Sequence, residues 1–509
     1  MALRSLVRLA CLRTGLILML ASSGVARADT TPEQAAALET QFRSWLTTIT
    51  GSFLSADDRP LRFSPQGDHF RVEIPIAAVF SMFGFDAGNA SFGAELRALS
   101  GGRWSVDNAK IPQPFRVASP TGDAWSMKLG DQKISMIIDP SLATTSSLDA
   151  VLTDGITTTE GGKPADISRV GKARTNISWT PTKGGRMNFT ASMTAEKLAT
   201  TQIMPDGTMV SWSADSTSAT GKADAVAMDG FGAMSQMIRD LIASDSGEAG
   251  TALSPATKKQ ARALVAALSN LFSGIEMEQS IEGMQIEAAG MRGSIGKFAI
   301  GFGAGAPEGN IDLHMSFTLE GLDSPAIPKG AARDLLPRML SFRPYVSGLP
   351  RASVISLLNQ AIDNDGKDTK ALERRLLAML RKTPLTVGVD NITVDMGHAK
   401  LTGDMWVDVS STEDFTGEAT FTIKGFERLI RMASTTPELK DAIPVLTMLK
   451  GLGEKEGDET TWSIRYEKGV LTVNDADMSS LMGGATDNGP NAELGTKDAP
   501  GGKKGATKK

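Results

Sequence analysis

The sequence predicts an α+β fold: β-rich, with predominantly antiparallel sheets, packed amphipathic helices and an elongated groove-like or duplicated architecture. Two observations carry this. Short segments in which apolar and polar residues alternate recur along most of the chain, separated by Gly, Pro, Asn and Asp. A few longer segments repeat their apolar residues at helical spacing instead.

Taken in order, the stretch 33–50 places Leu38, Phe42, Trp45 and Leu46 on one helical stripe. Strand patterns follow at 70–79, 91–99, 102–111, 131–138, 173–181, 184–194 and 207–216, many with one apolar face and one Ser/Thr/Asp face. That division suits antiparallel sheet with one side buried. Helices are predicted at 231–243 and 254–272, the second opened by Ser254 and Pro255. Strands return at 275–290, 296–305 and 310–322, then helices at about 331–340, 350–363 and 370–382. The last unit comprises strand patterns in 384–411 and 415–432, a helix over 437–453 and a hairpin over 461–483. In that hairpin Trp462, Ile464 and Tyr466 alternate, Glu467–Gly469 turns, and Leu471 and Val473 return. NIDLHMSFTLEGL (310–322) and EATFTIKGF (418–426) each carry a Phe-Thr strand ending in Gly, which suggests one β-rich unit used twice.

Arg4, Arg8 and Arg13 precede an apolar run from Leu16 to Ala21, and Ala26-Arg27-Ala28 forms an A-x-A site. This is the pattern of a secretory signal peptide over 1–28, with cleavage expected after Ala28. The run is too short for a membrane span, so no stable transmembrane segment is expected after cleavage. Cys11, the only cysteine, lies within this leader, so the mature chain forms no disulfide. Loss of four leader arginines takes the net charge from -5 to -9. No basic face is apparent, which argues against nucleic acid and weakens direct attachment to anionic headgroups. The predicted organisation is a β-rich N-terminal domain (29–243), a linker (244–253), a mixed C-terminal domain (254–484) and a Gly-, Pro- and Lys-rich disordered tail (485–509).

Candidate chemistry is sparse. His69, His314 and His398 lie far apart, and none has a partner at metal-ligand spacing. There is no G-x-S-x-G elbow and no phosphate-binding loop. GFGAGAPEG (301–309) leads into a strand rather than a helix, so it reads as a β connection. Asp475 with Asp477, and Asp404 with Asp408 beside Trp406, are carboxylate pairs without the surroundings of a glycosidase or calcium loop. No catalytic, cofactor-binding or metal residue is therefore assigned, and no enzyme activity is expected.

The C-terminal pattern of strand, Gly425, apolar helix, the exit Lys450–Gly453, then a hairpin through Gly469 and Asn474 closing on Asp477–Leu481 resembles the exported alphaproteobacterial DUF2125 group. It is similar, more loosely, to YdgA-like envelope proteins. The resemblance implies a periplasmic location and no known catalytic residue. Two function classes follow. One is a non-enzymatic envelope protein whose sheet offers a groove to lipid or another hydrophobic ligand, with the 24 methionines as adaptable contacts. The alternative is a structural or interaction module that assists another envelope or secreted protein.

Overall fold

The computed structural model describes residues 30–50, 61–227 and 254–478, with short gaps inside the last two spans. The expected signal peptide, the helix at 231–243, the linker and the tail lie outside the described residues.

Alternation makes strands almost everywhere. After helix α1 (Pro32–Thr50) come β1 (Arg62–Gln66), β2 (His69–Pro75), β3 (Ser91–Ala98), β4 (Trp104–Lys110), β5 (Phe115–Ala118), β6 (Ala124–Lys128) and β7 (Gln132–Asp139). Four long strands follow: β8 (Thr144–Glu160), β9 (Ile167–Pro181), β10 (Arg186–Ile203) and β11 (Met209–Ala227). Helix α2 (Pro255–Leu271) leads into β12 (Gly274–Ala288), β13 (Met291–Gly305), β14 (Asn310–Glu320) and β15 (Met339–Pro350). Helices α3 (Arg351–Asp363) and α4 (Thr369–Leu380) precede β16 (Leu385–Asp395), β17 (Lys400–Val409) and β18 (Phe415–Lys424). Helices α5 (Phe426–Thr435) and α6 (Ile443–Leu452) then lead to β19 (Glu454–Glu456), β20 (Glu459–Glu467), β21 (Val470–Val473) and β22 (Ala476–Asp477).

These strands form one 22-stranded sheet, and every pairing in it is antiparallel. From β7 to β18 each strand pairs with the next in sequence. Strand β8 is long enough to hold β7 on its first half and β6 on its second. Strands β11 and β12, which flank 228–273, pair with each other along most of their length.

The expected α+β fold with helices packed on the sheets is therefore corrected to an open, mostly antiparallel sheet with few helices. The reason lies in the connections. Helices α2, α3 and α4 join strand ends at one end of the sheet, and α5 and α6 join them at the other, so they occupy ends and not a second layer. The helix expected over 331–340 is likewise corrected at its end, because β15 begins at Met339. Pro344 lies inside β15 close to a bulge against β16, where the pairing steps between Ser341 and Arg343.

The apolar pattern changes phase at bulge-like residues in the left-handed region. Asn108 (φ 51°) separates Val106 from Ala109, yet both are buried, at 2% and 1% exposure. In β12 the apolar series Ile275, Met277, Ile281 resumes as Met284, Ile286 after Gly283 (φ 63°). A β-carbon on Gly283 would collide with the Asp215 carboxylate, so glycine is required there. Asp154, Lys197 and Gly321 hold the same conformation in β8, in β10 and just after β14. Alternation thus restarts repeatedly without turning the apolar face over.

Candidate functional site

Directly paired residues on antiparallel strands share a face, so the register traces one apolar ladder through the sheet. Phe70, Leu96, Val106, Met136, Leu148, Ile177 and Ala191 are consecutive members. Through Gly221 the ladder passes to Met277, Phe302 and Met315, then from Pro344 to Val389, Met405, Ala419 and Ile464. Its two halves meet different surroundings. Phe70 through Ile177 belong to the main core, which also takes in Ala35 and Leu38 of α1 and Leu271 of α2. Beyond β11 the ladder emerges: Met277 is 51% exposed, Phe302 38%, Met315 49% and Met405 39%.

Neighbouring rows repeat the contrast. Ile281, Phe298, Leu319 and Leu340 form one row, and Ile300, Phe317 and Phe342 another. Phe298 meets Phe317 edge-on at 5.6 Å, and Phe317 stacks on Phe342 at 5.2 Å. Val387 pairs with Val407, and Phe415 stacks on Tyr466 at 4.3 Å. The face of β12–β18 is thus a half-exposed apolar surface with methionine and phenylalanine along its middle. Exposed apolar surface of this kind is what folded chains use for contacts with protein, membrane or ligand.

The opposite face is polar and self-satisfied. Ser218 bonds Ser280 at 2.8 Å, Thr422 bonds Thr461 at 3.0 Å, and Arg465 donates to Glu418 at 2.8 Å. Tyr345 lies over Gly388, where a β-carbon would stand 2.5 Å from the ring. Burial, then the charges of Asp390, Asp404 and Asp408, raise the phenol's pKa. Asp404, Trp406 and Asp408 alternate along β17, so all three lie on this polar face, where the Asp408 carboxylate accepts from the Thr386 hydroxyl.

The histidines stay apart. His69 Nδ1 lies 2.9 Å from Asp68 at the start of β2, and His314 lies over Gly303 in the middle of the sheet. His398 sits in the β16–β17 turn, its Nε2 buried without a partner among the described residues. No three His, Cys, Asp or Glu side chains converge among the described residues. GFGAGAPEG is corrected in detail: Gly301, Gly303 and Gly305 belong to β13, and the turn follows them. Asp475 and Asp477 flank a tight turn that Asn474 organises. Its amide donates to the carbonyls of Leu452 and Thr461 and accepts from Ser463 N–H.

No helix among the described residues is long and apolar enough to cross a membrane. No family model, curated protein or solved structure matches this chain.

Proposed function

We propose that the protein is a non-enzymatic periplasmic carrier that holds an acyl lipid along the apolar face of β12–β18. The observation that carries the reading is the half-exposed ladder Met277, Phe302, Met315, Val389, Met405. From β12 to β17 it crosses five inter-strand gaps of about 4.8 Å, roughly 24 Å of continuous apolar surface. Each buried methylene is worth about 0.8 kcal/mol, and methionine adapts to chains of varied shape. A single long acyl chain gives only marginal, reversible attachment. A lipid with two chains is therefore the ligand expected to survive purification. The N-terminal leader pattern and the C-terminal resemblance to the exported DUF2125 group support the location.

Native mass spectrometry of the protein purified without detergent, paired with lipid extraction, tests this. The expected result is a reproducible diacyl lipid mass released on denaturation. A protein that is apo from several preparations overturns the carrier reading. One feature favours the second reading, an interaction module: among the described residues β1 pairs only with β2, which leaves an open sheet edge. A stable protein adduct in the same spectra, without lipid, would favour that reading.

A further inference from the structure

The helices at the two ends of the strands differ in charge. Helices α2, α3 and α4 lie side by side where β11, β15 and β16 have their ends, with α2 touching α3 and α3 touching α4. Together they carry seven basic residues against two acidic ones, in a chain whose net charge is -5. Lys258 and Arg262 reach the C-terminus of α3, at the Asp363 carbonyl and carboxylate. Lys259, Lys370 and Arg375 are exposed, and none has an acidic partner among the described residues. At the other end the cations are largely paired: Arg428 with Asp458, Lys450 and Lys455 with Glu427, and Lys424 with Glu459.

The basic end is also apolar. Leu358 of α3 and Leu376 of α4 are 47% and 42% exposed. Between these helices an open polar cleft of about 570 Å³ is lined by Ser356, Asn359, Gln360, Asp363 and Arg375. Free cations, exposed leucines and a polar cleft on one helical layer match the chemistry of a bilayer surface: anionic phosphates, acyl chains beneath them and headgroup hydroxyls between. A nucleic-acid surface would use the cations but not the leucines.

We propose that the α2–α3–α4 end docks on an anionic phospholipid bilayer and so brings one edge of the apolar face, at the strand ends, to the membrane from which lipid enters or leaves. This deepens the carrier reading and rests on it. The sequence alone shows no basic face because these cations belong to three helices that only the fold groups together, and attraction within a Debye length of the membrane depends on that local patch and not on the chain's overall negative charge.

Vesicle flotation tests the docking. Pure phosphatidylcholine vesicles are compared with vesicles containing three parts in ten phosphatidylglycerol, at low and high salt. The protein is expected to float with the anionic vesicles at low salt and to be released by salt. Reversing three exposed charges, Lys259→Glu, Lys370→Glu and Arg375→Glu together, should weaken flotation on the order of 100-fold. Lys400→Glu, an exposed cation at the opposite end, should leave it unchanged. Equal flotation with neutral vesicles, indifference to the triple substitution, or charge-dependent binding to duplex DNA but not to vesicles overturns the proposal. Lipid content, read by native mass spectrometry on the same preparations, separates the two readings. A triple variant that keeps its bound lipid but no longer floats supports docking as a separate function. Bound lipid in every variant with no flotation overturns docking and leaves the carrier. Charge-dependent flotation with no bound lipid in any preparation overturns the carrier and, with it, the loading role assigned to this end.

Discussion

The indole of Trp462 packs edge-on against Phe426 at 5.2 Å and donates its Nε1–H to the Leu449 carbonyl at 2.8 Å. One side chain thereby ties β20 to both α5 and α6, and it is only 5% exposed. Gly453 allows the approach, since a β-carbon there would meet the indole at 3.0 Å. Replacing Trp462 by phenylalanine keeps most of the apolar contact and removes the donor. The Leu449 carbonyl retains its bond from Gly453 N–H, so it is not stranded. The expected loss is about 1–2 kcal/mol, a net hydrogen bond plus a small void. Trp462→Ala, which empties the site, should cost about 3–5 kcal/mol. Both are read as shifts in denaturant midpoint at constant m-value. The alternation of Trp462, Ile464 and Tyr466 announced the strand, but the partners of the indole were invisible because they come from helices on another part of the chain.

At the scale of elements, α5 and α6 are clasped through charge. Glu427 at the start of α5 receives Lys450 of α6 at 2.8 Å and Lys455 of β19 at 3.3 Å. The hydrogen bond from Lys450, followed by that from Lys455, holds the Glu427 carboxyl below its ordinary pKa. A carboxylate depressed in the folded state adds stability that is complete above the unfolded value and disappears as the pH falls through the folded one. Amide exchange in α5 and α6, corrected for intrinsic rates, should therefore show steady protection near neutrality and a decline below about pH 4. Glu427→Gln should lower protection near neutrality and abolish that acid-dependent step. A step of unchanged size in this variant would assign the titration elsewhere. The existence of α6 was legible from apolar spacing, and so were α1 to α4, whereas α5 begins inside the stretch 415–432 that reads as strand. Several strands were not legible, among them β1, β5, β6, β8 and β15. In β8 (TTSSLDAVLTDGITTTE) the apolar residues are thin, and Asp154 restarts their phase halfway. In β15 Pro344 sits inside the strand, where the adjacent bulge makes room for it.

For the whole molecule, alternation revealed which residues share a face of each strand but not how many strands share one sheet. The register between strands depends on pairings that no single segment encodes. It is that register which lines up Met277, Phe302, Met315 and Met405, residues spread over more than 120 positions of sequence. The same ladder is sealed core before β11 and half-exposed after it, so substitutions along it should divide by position. Met136→Asp lies where exposure is 8%, and an unpaired carboxylate there should unfold the N-terminal core. Met315→Asp and Met405→Asp lie where the side chains are 49% and 39% exposed, so water can solvate the new charge. Their cost in stability should be small, about 1 kcal/mol or less, as for other surface changes. Their cost to an acyl ligand should be large, because a chain crossing this face would have to strip water from a carboxylate. The double variant should therefore melt close to the parent and lose at least tenfold in binding of a fluorescent acyl probe. Thr402→Asp, on the polar face of β17, should change neither. If the double variant binds the probe as the parent does, the ligand does not lie on this face.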